Sequence, residues 1–409
     1  MAKALEGLTV VDLSHVLAAP FCTMILADLG ANVIKVEPPI GDDSRAFGPF
    51  VAEKEDPSKK QSGYFISINR NKRSTCVDLK TGDGQAILRD MIIKADVVVE
   101  NFRPSTMKKL GFGYDELKKM NPGIIYCSIC GFGHDALPEL ASTPAYDMVA
   151  QAYSGLMSIT GPLGGPPVRV GSSIGDIMAG HQGAIGILAA LQYRQKTGLG
   201  QHVDISMVDG LVYTLENAIV RYTLENDVPV PLGSAHPTIT PFQGFEASDG
   251  KYVITPIGND SLWVKFCKVI GRADLTDHEL YRTNGLRTKH RSTLIPIIEH
   301  EMKKRTAAEW IATLTAAGLP NSPINTIDQV VTDRNLHHRD MIVTVDQPRV
   351  GPITMAGSPF RMSETPGSVH SPAPMLGEHT KEVLSEFLGY DKAKIDELIR
   401  KGAVIQLAD

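Results

Sequence analysis

The feature that most constrains this chain is an alternation, between residues 8 and 130, of continuously apolar runs and segments with helical spacing. "LTVVDLS" (8–14) is a β-branched run, and "PFCTMILADLG" (20–30) follows it with Pro20 at the start and Gly30 as a stop. "ANVIKVEPP" is the next strand, closed by two prolines. Beyond a polar segment at 51–62 the pattern resumes. "STCVDLK", "DVVVENF" and "GIIYCSI" read as strands, separated by the helices "DGQAILRDMIIKA" and "YDELKKM". A strand that is apolar at every position has no face to offer water, so helices must cover both sides of its sheet. The pattern predicts an α/β fold with a doubly wound, Rossmann-like parallel sheet.

A dinucleotide-binding version of that fold needs G-x-G-x-x-G after the first strand, where this chain has "SHVLAAP". No Walker A sequence is present either. The Gly- and Ala-rich stretch 183–195 predicts a helix packed closely on a neighbour. "KTGLGQHVDISM" returns as a turn and strand, and "VDGLVYTLENAIVRYTL" predicts one long helix. From residue 228 proline and glycine punctuation and three amphipathic helices indicate a smaller α+β domain. The expected division is a large domain over 1–205, a linking helix over 206–227, the small domain over 228–330, and a return over 331–409 that completes the large domain with two helices.

The net charge of −5, with no long run of one sign, argues against a nucleic-acid or anionic-membrane partner. Five cysteines are too few for a disulfide framework. Cys127 and Cys130 form a C-x-x-C inside an apolar strand, without a second pair or histidines nearby, so no metal site is expected. The N-terminus lacks a signal-peptide pattern, and the most apolar stretch, 179–191, reads as too short to span a bilayer. A cytoplasmic enzyme is the expectation.

Several residues could carry chemistry. His15 follows the first strand, at the edge where α/β sheets place ligands. "SINRNKRST" gathers Arg70, Lys72 and Arg73, either as a solvated loop or as a phosphate site. "ENFRPSTMKKLG" adds Arg103, Lys108 and Lys109 at another strand end, so two basic clusters suggest a polyanionic ligand. Asp176, in "GSSIGDIMAG", reads as the N-cap of the helix that follows it. Unpaired amides and the helix dipole there favour the ionised form that a nucleophile requires.

Jointly, "GLTVVDLSHVLAAPFCTMILADLGANVIKVEPP", "NKRSTCVDLK", "VVENFRPSTMKKLGF", "PAYDMVAQAYSG", "GSSIGDIMAG", "KTGLGQHVDISM" and "LGEHT" resemble the family III (CaiB/BaiF) CoA-transferases. The likeness runs through almost the whole chain, in the family's order. It implies that Asp176 is a nucleophile passing through aspartyl anhydride and aspartyl-CoA thioester intermediates. It also implies coenzyme A contacts at Val16, Leu17, Val77, Asp78, Leu79, Lys80, Asn101, Phe102, Arg103, Lys109, Pro144, Ala145, Tyr146 and Asp147. That moves the expected adenosine site from the "NKRST" cluster to the strand after it. Leu17 and Pro38 stand where formyl-CoA:oxalate enzymes carry glutamine and arginine. Their glycine-rich loop is replaced by Gly258, Asn259 and Asp260, and "GSAHPTITPF" is closer to the acetyl-CoA:oxalate branch. The resemblance thus implies an acetyl-CoA or succinyl-CoA donor, with oxalate or another dicarboxylate as acceptor. His15 and residues 258–260 are candidates for substrate contact.

Two alternatives stay open from the sequence. Related α-methylacyl-CoA racemases use a His-Asp pair, but Tyr146 stands where the histidine should be, and a phenol is a poor base at neutral pH. The His134-Asp135 pair lies elsewhere. The chain could also be one subunit of a hetero-oligomeric CoA-transferase, whereas the family resemblance implies an interlocked homodimer.

Overall fold

The computed structural model describes residues 3–407 and divides into two compact units. The first comprises Met1–Leu156, Val170–Asn217 and Arg334–Asp409, and the second Met157–Arg169 with Ala218–Asp333. The small unit thus takes up residues 157–169 in addition to the later excursion. Residues 206–227, expected as one helix, form two, Met207–Tyr213 and Ala218–Glu225, with Glu216 at φ 55° between them. That left-handed backbone cannot continue a helix.

The large unit is built on β1 (Thr9–Asp12), β2 (Asn32–Glu37), β3 (Lys72–Val77), β4 (Val97–Glu100), β5 (Ile125–Cys130), β6 (His202–Ser206) and β7 (Val404–Ile405). Their order is β7-β3-β2-β1-β4-β5-β6. β1 to β6 pair in parallel, and β7 joins β3 antiparallel. The order 3-2-1-4-5-6 is the doubly wound arrangement, and its direction reverses between β1 and β4. Val10, Val11, Val97, Val98 and Val99 are fully buried, the reason these strands need no polar alternation.

One sheet face is covered by α1 (Ala18–Asp28) and the later helix α6 (Ile174–Thr197). The other carries α3 (Gly82–Lys94) and α4 (Tyr114–Met120), with Val383, Leu384, Ile395 and Leu398 from the C-terminal segment. Two further helices are α2 (Gly63–Asn69), which packs Tyr64 and Ile68 against Val16 and Leu17, and α5 (Asp147–Tyr153). Helix α6 seats on α1 through glycines. A Cβ on Gly180 would stand 2.8 Å from the Ala18 carbonyl oxygen, and one on Gly183 3.1 Å from Cys22 Sγ. By length and composition α6 could cross a membrane, which corrects the reading of this stretch as too short. Its buried face (Gly180, Gly183, Ala184, Ile187 and Ala190) instead packs in the sheet's core.

The basic run that leads into β3 is not a solvated loop, because its cations are paired. Arg70 is buried in a double hydrogen bond with Asp28, at 3.1 and 2.8 Å, and Lys72 bonds Asp12 at 3.1 Å. Arg73 pairs with Glu382 at 2.7 Å. Buried cations persist only with such partners.

The second unit carries an antiparallel sheet of Phe242–Glu246, Tyr252–Pro256 and Ser322–Pro323, with helices packed over Trp263, Phe266 and Trp310.

Candidate active site

At the point where the strand order reverses, the loops after β1 and β4 meet. The Asn101 side chain accepts from the His15 backbone N–H at 2.9 Å and donates to the His15 carbonyl at 2.8 Å. Next to it Val16 has φ 66°, a conformation that a β-branched residue adopts only under constraint. Its N–H donates to Asp42 Oδ1 at 3.1 Å.

Two cavities open beside this turn. An inner one of about 140 Å³ is lined by His15, Val16, Leu17, Asn101, Phe102, Arg103, Pro144, Ala145, Tyr146 and Asp176, with Cys130 and Gly131. An outer one of about 380 Å³ is lined by Val77, Asp78, Leu79 and Lys80 together with Ile40 and Leu110. His15 and Phe102, with ring centroids 5.6 Å apart, belong to both. The two cavities thus adjoin at His15 and Phe102, and Asp176 lines the smaller of them. Lys109 lies exposed at the end of the turn Thr106–Lys109 and lines neither cavity.

Asp176 is not the cap of its helix. Ser173 occupies that position, and Asp176 is the third helical residue. The amide of Gly175 donates instead to Asp147 Oδ1 at 2.8 Å. Asp147 Oδ2 accepts from Gln151 Nε2 at 2.7 Å, and Gln151 Oε1 accepts from the Val170 amide at 2.9 Å. Asp147, expected beside coenzyme A, is therefore buried behind the helix start rather than along either cavity.

Burial, and then the negative charge of Asp147, raises the Asp176 pKa to about 7. Desolvation and the Asp147 charge thus act against the ionised form that the helix N-terminus favours. Near neutrality Asp176 exists in both forms, so the ionised form remains available to attack. Tyr64 on α2 was not singled out from the sequence. Burial, and then the charges of Asp176, Asp42 and Asp147, raises its pKa to about 12, so a neutral phenol faces this cluster of acids. Nothing in "SGYFISIN" marks that tyrosine, since only folding brings α2 to α6.

The other candidates have partners within their own units. Asn259 caps the helix Asp260–Val269 by accepting from the Leu262 amide at 2.9 Å. Asp260 pairs with the buried Arg287 at 2.7 Å, and Gly258 precedes them on the second unit. His134 donates its backbone N–H to Asp204 at 2.8 Å, and its ring faces Glu100 at 3.6 Å, away from the lining around Asp176. Cys22, Cys76, Cys127, Cys130 and Cys267 are all unpaired, and no group of three metal-ligating side chains occurs among the described residues.

The model of one protein family, described as CoA-transferase family III, matches residues 5–380. The chain belongs to CoA-transferase family III. Succinyl-CoA:mesaconate CoA-transferase of Haloarcula hispanica is 40% identical over 394 residues, covering 94% of this chain and 96% of the relative. Succinyl-CoA:glutarate CoA-transferase of Homo sapiens is 37% identical over 406 residues, covering 99% and 90%. Acetyl-CoA:oxalate CoA-transferase of Acetobacter aceti is 39% identical over 390 residues, covering 93% and 95%. The crystal structure of a CaiB/BaiF family protein from Brucella suis superposes with a TM-score of 0.82 at 36% identity, covering 94% of this chain and all of that one. This family III enzyme is therefore a CoA-transferase, with an acyl-CoA and a carboxylic acid as its substrates.

Proposed function

We propose that this enzyme moves CoA from succinyl-CoA or acetyl-CoA to a short dicarboxylate, with Asp176 as the covalent carrier. The observation that carries this reading is a pair of cavities that share His15 and Phe102 in their walls, one lined by Val77, Asp78, Leu79 and Lys80 and the other by the half-buried Asp176. An elongated thioester substrate would occupy the two in succession, with its nucleotide end in the larger cavity and its thioester at Asp176. The inner cavity, about 140 Å³, suits a short acyl group. Relatives named for succinyl-CoA with mesaconate or glutarate, and for acetyl-CoA with oxalate, support a dicarboxylate acceptor.

In this reading the Asp176 carboxylate attacks the thioester carbonyl and the C–S bond breaks, giving an acyl-aspartyl anhydride and the CoA thiolate. The thiolate attacks the aspartyl carbonyl and releases the donor acid, leaving an aspartyl-CoA thioester. The acceptor carboxylate attacks that carbonyl, forming a second anhydride and freeing the thiolate again. Attack of the thiolate on the acceptor's acyl carbon gives the new acyl-CoA and restores Asp176. Each step exchanges one activated acyl bond for another, so no step faces the barrier of direct exchange. Helix α1 begins at Ala18 without a side-chain cap on Leu17, and both residues line the inner cavity. The Ala18 and Ala19 amides have no carbonyl one turn earlier in the helix to bond and suit a developing oxyanion, whereas Pro20 has no N–H and the Phe21 amide donates to the Leu17 carbonyl at 2.8 Å.

A homodimer is part of this proposal. The large unit leaves Ile185, Tyr193 and Tyr213 exposed at 65%, 47% and 87%, side chains that a second copy could cover. Five unpaired cysteines fit a reducing cytoplasm. The deciding experiment incubates the protein with succinyl-CoA, traps with hydroxylamine and maps the product by mass spectrometry. Modification at Asp176, lost in Asp176→Ala, is expected. Modification at another residue, or full CoA exchange by Asp176→Ala, overturns the reading.

A further inference from the structure

Three consecutive residues between β1 and α1 have their backbone held by side chains from other parts of the large unit. Lys35 Nζ donates to the Ser14 carbonyl at 2.8 Å, Asn101 grips both polar groups of His15, and Asp42 accepts from Val16. Asp42 is itself fixed. It pairs with Lys35 at 2.7 Å and accepts from the Ser44 amide at 2.8 Å and the Ser44 hydroxyl at 2.7 Å. Lys35, on β2, is fully buried, and Asp42, on the loop that follows β2, is nearly so. At the centre of this arrangement stands Val16 with φ 66°. A valine leaves that conformation spontaneously unless an anchor over-determines it. Glycine adopts it freely.

We propose that Lys35 and Asp42 are positioning residues that hold Val16 in its left-handed conformation and so aim the start of α1 at the Asp176 carboxylate. The register that this fixes is visible at Gly180, one turn beyond Asp176, where α6 lies against the Ala18 carbonyl of α1. A strained turn anchored by a buried ion pair supplies a fixed set of amides at the reacting carbon without motion during the reaction. The inference rests on Asp176 being the nucleophile.

The test compares Asp42→Ala with Asp42→Ala/Val16→Gly, measuring kcat and KM for CoA exchange alongside thermal unfolding. Asp42→Ala is expected to lower kcat by roughly 10- to 100-fold, with KM changing by less than about 3-fold, the range set by the usual cost of a strained backbone. Adding Val16→Gly should recover about 10-fold, because glycine reaches the left-handed region without the anchor. A merely structural role for Asp42 predicts no such recovery. Should Asp42→Ala fail to fold, Asp42→Asn with and without Val16→Gly makes the same comparison. An unchanged kcat, or an equal loss in both valine and glycine backgrounds, overturns the positioning role. Exchange that survives in Asp176→Ala, run in parallel, overturns the nucleophile assignment instead.

Discussion

Removing the charge of Asp147 while keeping its shape should move the pH profile of the enzyme in a direction that the structure fixes. Asp176 has a pKa of about 7, against an ordinary 3.8, first through burial and second through the charge of Asp147. That rise corresponds to about 4 kcal/mol of preference for the neutral acid. Burial is the larger cause, so the Asp147 charge accounts for less than half, or under about 2 kcal/mol. Asp147→Asn removes that repulsion and lowers the Asp176 pKa. The nucleophile must be ionised, so activity falls as pH drops through this pKa. The acid limb of kcat/KM should therefore shift to lower pH by up to roughly 1.5 units, since the limb in kcat/KM reports the free enzyme. The asparagine oxygen can still accept from Gly175, but its NH₂ faces Gln151 Nε2, already a donor to this site. One lost hydrogen bond of this kind costs about 1–2 kcal/mol of stability, so the thermal midpoint should fall as the limb moves. The assay follows succinyl-CoA loss and glutaryl-CoA formation by liquid chromatography and mass spectrometry from pH 5 to 9. An acid limb that stays in place or moves to higher pH refutes the electrostatic reasoning.

Three further outcomes follow from the same geometry. Because the folded-state pKa of Asp176 is raised, its ionisation destabilises the fold above about pH 7 and has no effect below its unfolded value near 3.8. Asp176→Asn should therefore raise the thermal midpoint at pH 8 by several degrees and leave it nearly unchanged at pH 3.5; a shift of equal size at both pH values counts against the burial argument. A Cβ on Gly131 would collide with Ala145 Cβ in the wall of the inner cavity, so Gly131→Ala should raise KM for acyl-CoA, measured by steady-state kinetics. Gly180→Ala should lower stability by about 1–3 kcal/mol, measured by urea unfolding, because its Cβ meets the Ala18 carbonyl where α6 seats on α1.

The doubly wound sheet was legible in the sequence because its strands are buried on both faces, and that burial writes itself as unbroken apolar runs such as Val97, Val98 and Val99. The close seat of α6 was legible from its glycines for the same reason: backbone approach excludes side chains. The loops after β1 and β4 could be chosen as the ligand edge because parallel sheets put their strand ends there. The fate of the charged residues was not legible. Arg70 meets Asp28, 42 positions earlier, and only the fold turns a basic run into a buried ion pair. Asp176 looked like a cap because local sequence reports local hydrogen bonds, yet its helix amide is taken by Asp147, 28 positions away.

The sequence by itself determined the layers, the family and the position of the acid at the start of α6. The tertiary structure decided the protonation of that acid, the conformation of Val16 and the place of Tyr64 beside them. Periodicity survives in a linear chain because each element repeats its burial along its own length. A pKa and a strained turn depend on which distant atoms displace water, and that is fixed only when the elements pack.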